Sequence, residues 1–168
     1  MTRVLELLAR LPGTLLPFAI ASSLVSLVGV GWWTALAGGV AAVVGYFLSA
    51  GIAQMLVRWW GSWRNLLLGQ TVTYVVLVVL LIAASDQQRL WLVLVLGLLA
   101  GAAAPAERVC MPNVRLDRSA LGLSVLLALA CGLTGAWSVP LAVCGVTAAA
   151  AVPVLVMRRY RVGSEEPQ

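Results

Sequence analysis

Six apolar stretches, none containing an Asp, Glu or Arg, divide this chain almost from end to end. They run over residues 13–30, 33–57, 65–84, 90–106, 119–136 and 139–157, each close to the ~20 residues needed to cross ~30 Å of hydrocarbon. In hydrocarbon every backbone amide must find its partner within its own segment, so spans this apolar are read as helices. Alternation with period two is absent, which argues against an outer-membrane barrel. Only 10% of the residues are charged, against roughly a quarter in soluble chains, and 62% are hydrophobic, which excludes a water-soluble fold. The fold class expected is all-α: a polytopic membrane protein with six transmembrane helices, or five if the tight last hairpin does not cross.

The positive net charge of +5 is carried by Arg alone, and its placement orients the bundle. Arg3, Arg10, Arg58, Arg64, Arg108, Arg115, Arg118, Arg158, Arg159 and Arg161 fall on the side of the N-terminus, and Arg89 alone on the other. Both termini are therefore expected in the cytoplasm, in a multi-pass protein of the cytoplasmic membrane. Residues 1–12 read as a cytoplasmic interfacial helix, with Val4, Leu5, Leu7, Leu8 and Leu11 on one side and Glu6 and Arg10 paired at i,i+4. Residues 13–157 are the bundle and 158–168 a cytoplasmic tail. The segment around Ala19-Ile20-Ala21 resembles a signal-peptide cleavage site, but the apolar run continues past it, so an uncleaved first helix is expected. Trp32, Trp33, Trp91 and Trp137 fall at the outer interface and Trp59, Trp60 and Trp63 at the inner one, an aromatic belt.

Helices in lipid associate through small residues. Such stripes occur at Ala19, Ser22, Ser23, Ser26 and Gly29; at Gly38, Ala42, Gly45 and Ser49; at Gly97 and Gly101; at Ala128, Gly132 and Gly135; and at Ala142, Gly145 and Ala149. The third span is bulky all round and is expected at the lipid-facing periphery.

Residues 8–70 and 98–118 resemble the N-terminal six-helix half of actinobacterial major facilitator superfamily transporters. The resemblance rests on Arg10-Leu11-Pro12-Gly13, the small-residue second helix from Ala37 to Gly45, Gly61-Ser62-Trp63-Arg64-Asn65-Leu66-Leu67-Leu68-Gly69, and Leu98-Leu99-Ala100-Gly101-Ala102-Ala103-Ala104-Pro105. It implies a 3+3 half-bundle and a cytoplasmic gate motif between helices two and three. Gly61 and Arg64 match that motif, whereas Arg58 stands where the family has Asp, and a cation there cannot make the family's ion pair. Family transporters have twelve helices. The six of this chain imply a parallel homodimer packed through the stripes of helices one, two, four and five, a different six-helix partner, or a degenerate remnant.

No ionisable residue falls within a span, so no proton carrier is expected. The polar candidates for a substrate path are Ser22, Ser26, Tyr46, Ser49 and Thr134, with Gln54 and Gln70 near the cytoplasmic ends. Ser and Thr hydroxyls in such helices commonly bond back to their own helix carbonyls, the simpler reading of each. Cys131 and Cys144 lie about 10 Å below the outer surface; a disulfide or a soft-metal pair is the alternative to ordinary packing thiols. With no His, no phosphate loop, no nucleophile triad and no carboxylate pair, no enzyme activity, metal, cofactor or nucleic-acid partner is expected. The function expected is small-molecule transport by an MFS-like half transporter; the alternative is a non-transporting subunit that scaffolds a larger membrane complex.

Overall fold

The computed structural model describes residues 2–26, 31–60, 63–86, 89–104, 118–134 and 138–163. These form six helices, with no strand among the described residues: α1 (Thr2–Ser26), α2 (Trp32–Trp60), α3 (Trp63–Asp86), α4 (Leu90–Ala103), α5 (Arg118–Thr134) and α6 (Ser138–Gly163). Two contain stretches long and apolar enough to cross a membrane, Trp32–Leu56 and Asn65–Ser85. The other apolar stretches are shorter: Leu11–Val25, Leu90–Ala103, Gly122–Cys131 and Ser138–Val154.

Local chemistry sets several ends. Ala104 has φ −54° and ψ 133°, an extended conformation, because the ring of Pro105 disfavours the helical region for the residue before it. The fourth helix therefore stops short of the boundary at residue 106 that its apolar run suggests. The α3–α4 turn is closed by the Arg89 amide, which donates to the Ala84 carbonyl at 3.3 Å. At the start of α2, the Thr34 amide and hydroxyl both donate to the Gly31 carbonyl.

Helices α1, α2, α4, α3 and α6 close into a ring, with α5 lying outside against α1. Exchanging α1–α3 with α4–α6 maps most of these contacts onto one another. The α1–α5 contact matches α4–α2, α1–α6 matches α4–α3, and α2–α3 matches α5–α6, while α1–α4 and α3–α6 map onto themselves. The α1–α2 contact has no comparable α4–α5 counterpart among the described residues.

The tightest seam joins α2 and α4, which run parallel. A Cβ on Gly45 would collide with the Leu98 carbonyl and the backbone of Ala102, and one on Gly101 with the backbone of Ala42 and Tyr46. Gly38 and Gly97 both face the Ile20 side chain of α1. The stripe Gly38, Ala42, Gly45, Ser49 is buried throughout, as are Gly97 and Gly101. These small residues are thus consumed within one chain and are not free to join two copies, as the dimer expectation required. Gly132 lies in α5, but its surroundings are outside the described side chains.

Four further expectations are corrected. The third span is not peripheral: Tyr74, Val78 and Leu81 are fully buried, a large-residue ridge seated against Cys144, Gly145 and Ala148 of α6. Bulk on one helix is matched by small residues on its neighbour, so a stripe on each helix is unnecessary. On α6 the buried face is Leu141, Cys144, Ala148 and Ala151, while Ala142 and Ala149 point outward. Finally, residues 1–12 are not a separate interfacial helix, because α1 runs unbroken from Thr2 through Pro12 and Pro17. Leu8 packs on Leu67, Ala151 and Val152, which places it level with the apolar part of α3. Glu6 and Arg10 therefore lie within a helix rather than before one. At the other end, α6 continues to Gly163, so Arg158, Arg159 and Arg161 are in its last turns rather than in a tail.

Large apolar side chains stand on the outer surface of several helices. Phe47 and Leu48 on α2, Val72 and Val76 on α3, Leu126 on α5 and Val146 on α6 are all exposed. Apolar exposure on this scale is uncommon in monomeric water-soluble proteins. Trp32 and Trp33 stack at 3.8 Å near the start of α2, and exposed Trp91 opens α4, at the same end of the parallel pair. Exposed Trp59 lies about 40 Å away along α2, close to the ~40–45 Å of a bilayer with its headgroups.

Candidate functional site

Beside the prolines of α1, polar groups of several helices converge among the described residues. Pro12 has no amide proton for the Leu8 carbonyl, and Pro17 has none for the Gly13 carbonyl, so two intrahelical bonds are missing within two turns. Other helices hold this stretch in place. The hydroxyl of Tyr74 in α3, fully buried, donates to the Pro12 carbonyl at 3.0 Å. The thiol of Cys144 in α6 lies beside the same hydroxyl. From α2 the ring of Tyr46 lies over Gly13 so closely that a Cβ there would sit 2.8 Å from Cε2. From α5, Ser124 Oγ lies 3.0 Å from Thr14 Oγ1, and Thr14 itself donates to the Leu11 carbonyl at 3.3 Å. Either hydroxyl can supply the proton of their shared bond.

Residues 12–14 are therefore held by side chains from α2, α3 and α5, with α6 behind Tyr74. The node contains hydroxyls, a thiol and a carbonyl but no charged side chain, so it can fix geometry yet offers no ion pair. Among the described residues no group of three His, Cys, Asp or Glu side chains comes together. Neither Cys131 nor Cys144 is in a disulfide.

Replacing Thr14 by Val and Ser124 by Ala, singly and together, should show a coupling of about 0.6 kcal/mol, the usual worth of an interhelical hydrogen bond in lipid. Strictly additive losses in a double-mutant cycle would show that the two hydroxyls are neighbours without being partners.

The other polar residues singled out in the sequence do not converge with this node. The Ser22 hydroxyl donates to the Ala19 carbonyl at 2.9 Å, and buried Ser49 donates to the Tyr46 carbonyl at 2.6 Å. Both are tied to their own helices. Gly13 lies opposite Tyr46 and Ile20 opposite Gly38 in the antiparallel α1–α2 pair, so Ser22 and Ser49 stand about 18 Å apart in height. Tyr46 alone among the path candidates reaches the node. The side chains of Ser26, Thr134 and Arg64 and the whole of Gly61 lie outside the described residues, while Arg58 is exposed in the last turn of α2. A cation there suits the negative end of the helix dipole.

Sequence reasoning passed over Tyr74, Thr14, Ser124 and the role of Pro12. The available signal was the phenol of Tyr74 inside an aliphatic run, since a buried tyrosine hydroxyl needs a partner and a proline-disturbed helix has carbonyls to offer. Comparison with family models, curated proteins and solved structures finds no match for this chain.

Proposed function

We propose that the chain is a six-pass membrane bundle of two inverted three-helix repeats that works as one half of an MFS-like small-molecule transporter. The observation that carries this reading is the packing pattern, which largely survives exchange of α1–α3 with α4–α6. Odd-numbered repeats of helices related in this way must run in opposite directions through a membrane, the arrangement nested within each half of such transporters. The apolar outer surface and the two tryptophan levels support immersion in a bilayer. Both termini then lie in the cytoplasm with the arginines. A second copy, parallel to the first, completes the transporter, and it meets this one through outward apolar side chains rather than through the buried glycine seams.

A non-transporting scaffold is the second reading, favoured by the back-bonded hydroxyls of Ser22 and Ser49 and the backbone-to-backbone closure of α2 on α4. Reconstitution into nanodiscs and liposomes separates the two. Transport requires the mass of two chains per particle and a saturable flux of some member of a broad small-molecule panel. A strict monomer without flux leaves the scaffold. A reporter inserted between Ser85 and Arg89 should lie outside the cell, and finding it inside would remove the six-pass topology itself.

A further inference from the structure

We infer that α1 is a two-part lever: residues 2–11 swing about the stretch of residues 12–17, and the Tyr74 hydroxyl is the catch that holds them docked. The inference rests on the membrane-spanning reading but not on transport. Two observations set this segment apart. Its sequence is that of a surface helix, with Leu5, Leu8 and Leu11 on one side and Arg3, Glu6 and Arg10 among the rest. The structure continues it from the bundle helix without a break, with Leu8 seated on Leu67, Ala151 and Val152. Between the two parts, Pro12 and Pro17 remove two backbone bonds, and that gap is where a helix bends most readily.

What keeps the segment docked is the burial of Leu11, the seat of Leu8 and three contacts at residues 12–14. Tyr74 anchors the Pro12 carbonyl, Tyr46 covers Gly13, and Ser124 holds Thr14. Beyond Pro17, α1 is locked by buried Ala19, Ile20 and Leu24, so the movement is confined to the cytoplasmic part, and release lifts Leu11 from its buried place. The released segment lies in the membrane interface, with its leucines in the acyl boundary and Arg3 and Arg10 toward anionic headgroups. Negatively charged lipid therefore favours the released position.

The test is a spin-label distance between positions 4 and 58, as Val4→Cys with Arg58→Cys in a Cys110→Ser background. Cys131 and Cys144 are buried and stay native. In nanodiscs of zwitterionic lipid a single distance is expected. Adding Tyr74→Phe and moving to anionic lipid should populate a second distance, displaced by roughly 10 Å for a ten-residue segment turning about its end. Restoring the two backbone donors with Pro12→Ala and Pro17→Ala should abolish the second distance. A control pair at positions 58 and 89 should not change, which separates release of a catch from general loosening. A single unchanged distance in the Tyr74→Phe protein, with the protein floating with liposomes, would overturn the lever alone. Failure to float at all would overturn the membrane reading and the lever with it.

Discussion

Replacing Gly45 by Ala should destabilise the protein by about 3 kcal/mol, whereas the same change at Gly51, six residues along the same helix, should stabilise it slightly. Alanine is the better helix former by about 1 kcal/mol, so propensity favours both substitutions. At Gly51 nothing lies within 4 Å of the new methyl, and propensity decides. At Gly45 the methyl meets the Leu98 carbonyl and the Ala102 amide of α4, and backbone cannot turn aside as a side chain can. The helices must separate, and the cost of such overpacking, typically 1–3 kcal/mol and occasionally more, outweighs the propensity gain. Unfolding in mixed micelles of rising SDS content reads both variants. Equal effects at the two positions would mean that α2 and α4 do not meet through this seam.

Truncating Tyr74 to Ala should cost about 3 kcal/mol and Tyr74→Phe about 1 kcal/mol, with the difference due to the ring. In water-soluble proteins the loss of a buried aromatic ring costs 3–5 kcal/mol. On the proposed membrane reading the transfer part of that figure shrinks, because lipid is as apolar as the site, while the lost van der Waals contact with α1 and α6 remains. The hydroxyl contributes one net hydrogen bond and otherwise leaves the Pro12 carbonyl without its cross-helix donor. The same micelle titration orders the three proteins. A Phe variant as damaged as the Ala variant would place the importance of Tyr74 in its hydroxyl, and an undamaged Ala variant would remove it from the core.

The two substitutions probe different degrees of legibility. The seam at Gly38, Ala42, Gly45 and Ser49 was readable because small residues spaced by three and four on one helix define a face whatever they meet. The ridge at Tyr74, Val78 and Leu81 was not, because the same large aliphatics serve equally well against lipid and against protein. In water the burial of a large apolar residue is itself a signal; in an apolar surrounding it is not. For the same reason the outward turn of Ala142 and Ala149 on α6 had no sequence signature, since alanine faces lipid and protein alike.

What the sequence determined by itself is that the described residues form helices around its apolar stretches. Uninterrupted apolar runs bond their backbones internally, although prolines, glycines and arginines inside α1, α2 and α6 do not end those helices. It also determined that the surface is apolar, because 17 charged side chains cannot clothe a 168-residue chain in polar groups. Only the tertiary structure decided which helices are neighbours, that α1 continues unbroken through its prolines, and that Tyr74, Thr14 and Ser124 meet beside Pro12. Those pairings depend on matching the size of one helix's side chains to the gaps of another, and on hydroxyls finding carbonyls 62 residues away, as Tyr74 finds Pro12. Neither relation is written in the spacing of any single segment.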